Sequence, residues 1–184
     1  MREGLQRELL LLHQELNVTT LHVTHDFEEA VALADRIAIM NEGLIVQIGK
    51  PYEVFRQPKT KFVALFVGAR NVFEGSVRGK EDGVTKVEIE GLEIETLTEL
   101  TGRVHVSLRP EDILISTRPL RSSARNSFKG EVARILDKGP TVYVMVRVPP
   151  DFVCLITKRS FEEMGLREGV QVYITFKASA VHVF

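Results

Sequence analysis

The chain has 184 residues, 44% of them hydrophobic, with a formal net charge of −1. That length holds one ordinary domain or two small ones with a real core, and the balanced charge argues for no nucleic-acid partner. No apolar run reaches the ~18 residues of a membrane span, and Met1 to Leu12 reads as a charged amphipathic segment instead of a signal peptide.

Residues 4–16 read as a helix, because Leu5, Leu9, Leu12 and Leu16 recur on one stripe. Val18 to Val23 is rich in β-branched residues and reads as a short strand. Asp26 with Glu29 three residues on is a helix N-cap with a capping-box partner, and that helix runs to about Ala34. Arg36–Met40 and Leu44–Ile48 are strands joined by a turn at Asn41-Glu42-Gly43. Pro51 opens a short helix where a missing N–H costs nothing, and Pro58 ends it. Phe62–Val67 is a further helical turn or two, closed by Gly68. Only one strand precedes the Asp26 helix, so this is the tail of an α/β domain and not a whole one.

Beyond Ala69 the texture becomes strand-length runs between glycines 75, 79, 83, 91, 102, 130 and 139, which read as turns. The boundary is placed near residue 68. The second part repeats. Ala69-Arg70-Asn71-Val72-Phe73-Glu74-Gly75 recurs 55 residues later as Ala124-Arg125-Asn126-Ser127-Phe128-Lys129-Gly130. Val106-Ser107-Leu108-Arg109-Pro110 resembles Ile174-Thr175-Phe176-Lys177-Ala178. Two copies of an all-β unit, about 69–118 and 119–184, follow one another. Units so small share a core or dimerise, and the pattern suggests an OB-type Greek-key barrel. Cys154, within Phe152-Val153-Cys154-Leu155-Ile156, reads as a buried inert thiol.

Two clusters carry chemistry. In the first, a strand delivers His25 to its C-terminal end, ahead of the Asp26 cap. Ligands bind at that edge in open α/β sheets. A histidine satisfied locally at a strand end is the competing reading. In the second, Ser122, Ser123, Arg125 and Asn126 combine with Lys177 and Ser179. Two cations with hydroxyl and backbone N–H donors suit a tetrahedral dianion. A strand-edge turn with surface charges is the alternative.

The runs Thr19–Ala30, Ala34–Met40 and Gly43–Gly49 resemble the last segment of the nucleotide-binding domain of ABC importers. The resemblance covers residues 1 to about 67. It implies that His25 is the switch histidine, which contacts the γ-phosphate of ATP and helps position the attacking water. The chain contains no G-x-x-x-x-G-K-[ST] phosphate loop. In the family the loop, the signature motif and the acidic Mg²⁺-holding strand lie upstream of a position like Met1. ATP and Mg²⁺ are thus expected only in a complete subunit, and this chain alone is expected not to hydrolyse ATP.

Residues 119–184 resemble the molybdate-binding module of molbindins and of molybdate-importer ATPases. The match runs through Ser123-Ala124-Arg125-Asn126, Phe128–Val132, Ile156-Thr157, Leu166–Gly169 and Phe176–Val181. It implies an oxyanion pocket at a subunit interface lined by Ser123, Arg125, Asn126, Thr157, Lys177 and Ser179, taking molybdate or tungstate. The first copy has Gly68 in place of the serine, and Glu111 and Asp112 would repel a dianion, so the site is expected in the second copy. The fold expected is an α/β remnant of an ABC nucleotide-binding domain (1–68) followed by an OB-like β-barrel of tandem TOBE/Mop-type units (69–184). A homodimer, membrane permease partners and a cytoplasmic place on the inner membrane face are implied. A purely structural dimerisation module of a sulfate, iron or sugar importer is the alternative. An ion-storage protein is disfavoured by the α/β remnant.

Overall fold

The structure, a computed structural model, describes residues 2–184, with side chains from Gly4 onward. It divides into two compact units, Met1–Val63 and Ala64–Phe184.

In the first unit, α1 (Arg2–Leu16) is followed by α2 (Phe27–Leu33). The α1 stripe faces outward: Leu5, Leu9, Leu12 and Leu16 are 49–63% exposed. Asp26 caps α2 as expected, its carboxylate accepting from Glu29 N–H at 3.0 Å. Glu29 reaches Thr24 as well, whose hydroxyl donates to it at 2.6 Å. The expected strand at Val18–Val23 does not form, and His25 is not carried by one. Residues 18–24 are irregular, with Leu21 and Val23 88–90% exposed. β-branched composition favours a strand only where a neighbour completes the ladder, and no described strand pairs with this segment. The hairpin β1 (Ile37–Asn41) and β2 (Leu44–Gly49) forms as expected. Its turn has Glu42 at φ 49° and Gly43 at φ 78°, the two left-handed residues that match strand twist in a tight hairpin. Then come α3 (Pro51–Arg56), with proline in its first turn, and α4 (Lys61–Phe66).

The second unit is two five-stranded sheets. The strands of the first copy are β3 (Asn71–Glu81), β4 (Val84–Ile89), β5 (Leu92–Thr96), β6 (Arg103–Leu108) and β7 (Leu114–Ser116). Those of the second are β8 (Asn126–Asp137), β9 (Thr141–Arg147), β10 (Asp151–Thr157), β11 (Gln171–Phe176) and β12 (His182–Val183), with α5 (Lys158–Glu163) after β10. Each copy runs long strand, hairpin, third strand, then a strand returning to the other side of the long one. A 3₁₀ turn follows it, Pro110–Asp112 in one copy and Ala178–Ala180 in the other. The long strands carry the same bulge, between Val77 and Gly79 and between Val132 and Arg134.

The last strand of each copy crosses over. β7 pairs with β11 and β12 with β6, giving the orders β10-β9-β8-β11-β7 and β12-β6-β3-β4-β5. Each sheet is therefore completed by the other copy. The core is continuous across both: Phe73 lies 5.2 Å from Phe152 between ring centroids, and Phe152 lies 5.9 Å from Phe176. Sharing one core answers the size problem of each ~60-residue copy. Cys154 sits inside it, fully buried, and burial pushes its thiol far above the ordinary range.

Two of the glycines expected as turns have another use. Gly75 and Gly130 lie within β3 and β8 where the hairpin strands press closest. A Cβ on Gly130 would stand 2.6 Å from the Arg147 carbonyl oxygen and overlap Val148, and one on Gly75 would stand 2.9 Å from the Glu88 carbonyl oxygen. Both positions exclude a side chain because backbone and packed valines already fill the space.

Candidate oxyanion site

The β8–β11 ladder sets the site. Asn126 pairs with Phe176 in an antiparallel register, which puts Arg125 and Lys177 across from each other one step beyond the ladder. Two residues before Arg125 stands Ser123, and two after Lys177, in the 3₁₀ turn, stands Ser179. All four are exposed. Ser123, Lys177 and Ser179 have no side-chain partner among the described residues. Arg125 Nη1 is 3.6 Å from Glu95 Oε2. The arrangement is a patch of hydrogen-bond donors with two positive charges, open to solvent.

Asn126 does not share this freedom. It is 2% exposed. Its carboxamide donates to the Glu95 carbonyl at 2.8 Å and accepts from the Glu95 N–H at 2.8 Å. Glu95 is on β5, an edge strand of the other sheet, so the side chain serves it as a peptide group would. Asn71 does the same in reverse. It donates to the Val153 carbonyl at 2.8 Å and accepts from the Val153 N–H at 2.6 Å, on the edge strand β10. The two asparagines clamp the copies together.

Thr157 lies elsewhere. It pairs with Thr141, and the next residue, Lys158, reaches Asp137 at 2.6 Å, at the opposite end of β8 from Asn126. The Lys158 hydrogen bond, then that of the Gly139 N–H, holds the Asp137 carboxyl below its usual range. The Thr157 hydroxyl caps α5, accepting from Ser160 N–H at 3.1 Å. By register Arg125 and Lys177 stand opposite each other, with Ser123 and Ser179 two residues away along the chain, and Thr157 lies toward the other end of β8.

The equivalent corner of the first copy is spent. Arg109, opposite Arg70 by the β3–β6 register, is buried, donates to the Val67 carbonyl at 3.2 Å and lies 3.6 Å from Glu111. The Arg70 guanidinium stacks 4.6 Å from the Tyr143 ring centroid. His25, in the first unit, is exposed at a bend just before the Asp26 cap.

The TOBE domain family matches residues 122–183. A molybdate/tungstate import ATP-binding protein, WtpC, from Pyrococcus abyssi is 41% identical over 178 residues, 96% of this chain and 50% of that protein. Residues 122–183 thus match the TOBE domain, and nearly the whole chain is similar to import ATP-binding proteins. The chain spans about half the length of the relatives it matches, since its counterpart from Pyrococcus horikoshii is covered to 52%. A spermidine/putrescine import ATP-binding protein, PotA, from Trichormus variabilis is 42% identical, but over 80% of this chain. Among solved structures, the cytoplasmic molybdate-binding protein ModG in its molybdate-bound form superposes with a TM-score of 0.54 at 25% identity, covering 62% of this chain and 95% of ModG. The TOBE region and its preceding repeat thus have the OB-like barrel fold, following a small α/β part.

Residues missed from the sequence are Asn71 and Glu95. The signal for Asn71 was available: an asparagine kept in both copies, one without the serine, fits a structural duty better than a ligand-binding one.

Proposed function

We propose that this chain is part of the ATP-binding subunit of an ABC importer for molybdate or tungstate, and that its TOBE region binds the oxyanion as a regulatory ligand. The observation that carries this is the pairing of Arg125 with an unpartnered Lys177 at the β8–β11 end, flanked by Ser123 and Ser179. ModG, a molybdate-binding protein of related fold, and the molybdate/tungstate import relatives support the choice of ion. Two cations match a dianion's charge, and hydroxyls complete a donor shell without adding acceptors that bear charge. Thr157, distant within one chain, joins the shell only if a second copy supplies it, so the site belongs to a homodimer.

In the complete subunit, His25 faces the γ-phosphate of ATP, Mg²⁺ is bound by residues of the full-length protein, and permease subunits at the cytoplasmic membrane face are the partners. Bound oxyanion biases the paired barrels toward one arrangement, by no more than its difference in affinity for the two. A second reading, a dimerisation module without ligand, draws on Asn126 and Thr157, whose side chains serve the fold.

Thermal unfolding with added anions separates the two. Molybdate and tungstate are expected to raise the midpoint by several degrees at concentrations well above Kd, and sulfate and spermidine to leave it in place. Equal midpoints in all four would remove the ligand reading.

A further inference from the structure

The oxyanion cluster contains a residue of the wrong sign. Glu95 belongs to the first copy, yet Asn126 grips its backbone on both sides, which holds the residue beside Arg125 of the second. Its Oε2 is buried and accepts no hydrogen bond among the described residues. The nearest cation is Arg125 at 3.6 Å, beyond hydrogen-bond reach. Lys86 stands opposite Glu95 on β4, but its ammonium lies by Glu81 at 3.4 Å and Glu93 at 3.7 Å. A buried carboxylate oxygen left without a donor is costly and calls for a reason.

The geometry points to Glu95 as an affinity-setting residue of the oxyanion site: a resident counter-ion to Arg125 that an incoming dianion must outcompete. The inference rests on the oxyanion reading of the cluster. Without ligand, Glu95 neutralises Arg125 and keeps the guanidinium near the strand end. A tetrahedral dianion that takes Arg125 leaves the Glu95 carboxylate facing it, and like charges a few ångströms apart repel, more strongly where one of them is shielded from water. Affinity is thereby held down, which suits a ligand read as a concentration signal. The charge comes from one copy and the cations from the other, so the two repeats together fix the binding constant.

Glu95→Gln keeps the shape and leaves the backbone clamp from Asn126 in place. Calorimetric titration of the full chain with sodium molybdate, wild type beside variant, tests the role. The variant is expected to bind about tenfold or more tightly. The same gain, or binding by the variant alone, supports the assignment. If wild type binds and the variant binds equally or more weakly, Glu95 is only an orienting partner of Arg125 and the inference falls while the oxyanion reading stands. If neither protein binds, the oxyanion reading fails and this role fails with it. Circular dichroism of both proteins confirms that the fold is shared.

Discussion

Replacing Asn126 by alanine is expected to cost about 2–5 kcal/mol of stability. The loss is larger than that of a single hydrogen bond because of what remains behind. The Glu95 N–H and C=O both lose their partner, on an edge strand with no further strand beside it among the described residues. Each buried, unpaired polar group costs ~1–3 kcal/mol. Asn71→Ala should be at least as damaging, since Asn71 holds the Val153 N–H and C=O and also donates to the Leu108 carbonyl at 3.1 Å. A domain of this kind has only about 5–15 kcal/mol in hand, so the double variant should fail to fold. Asn126→Asp is a telling control. It keeps an acceptor for the Glu95 N–H but presents a carboxylate to the Glu95 carbonyl, and should be no better than alanine. Urea unfolding of each variant checks this, and a loss under about 1 kcal/mol for Asn126→Ala would show that the clamp is decorative.

The second large effect is expected at Gly130. A methyl group there would overlap a Val148 methyl and stand 2.6 Å from the Arg147 carbonyl oxygen. The valine can turn, but the carbonyl belongs to the backbone where β9 leaves the ladder. Overpacking of this kind costs ~1–3 kcal/mol, and valine in place of alanine should exceed that range and leave the chain insoluble. Gly75→Ala should be milder, because its closest contacts are 2.9 Å. Thermal unfolding that ranks Gly75→Ala below Gly130→Ala in midpoint would contradict this account of why the two strands need glycine.

Much of this architecture was legible in the residues. The 55-residue recurrence of Ala-Arg-Asn gave the duplicated barrel, and Asp26 and Pro51 marked their helix starts correctly. Turns such as Asp82-Gly83 and Glu90-Gly91 were visible because their left-handed pairs, φ 48° and 77°, and 48° and 88°, select glycine at the second position. Composition misled where a residue's role depends on a distant neighbour. Thr19-Thr20-Leu21-His22-Val23 has strand chemistry but no strand beside it, so it stays irregular. Gly75 and Gly130 resemble turn glycines locally, and only the approach of the hairpin strands shows otherwise. The exchange of β7 and β12 was hidden because segments of three and two paired residues carry almost no pattern of their own.

The candidate site divides in the same way. Arg125 and Lys177 were named together from the sequence, and the β8–β11 register places these residues, far apart in the chain, opposite each other. Asn126 was assigned to the ligand, yet its side chain serves Glu95. Glu95 itself sits in Gly-Leu-Glu-Ile-Glu-Thr, whose alternation reads as a solvated strand face. Nothing in that run reveals that one carboxylate is drawn under the edge of the other copy.

The central claim is that the second repeat binds a tetrahedral oxyanion through Arg125 and Lys177. Isothermal titration of the purified chain with sodium molybdate tests it most directly, run beside Arg125→Ala and Lys177→Ala. Saturable binding by the wild type, lost by at least tenfold in either variant with the unfolding midpoint unchanged, is the expected result. Heats indistinguishable from dilution in the wild type and in Glu95→Gln alike, or undiminished binding by both alanine variants, would contradict it.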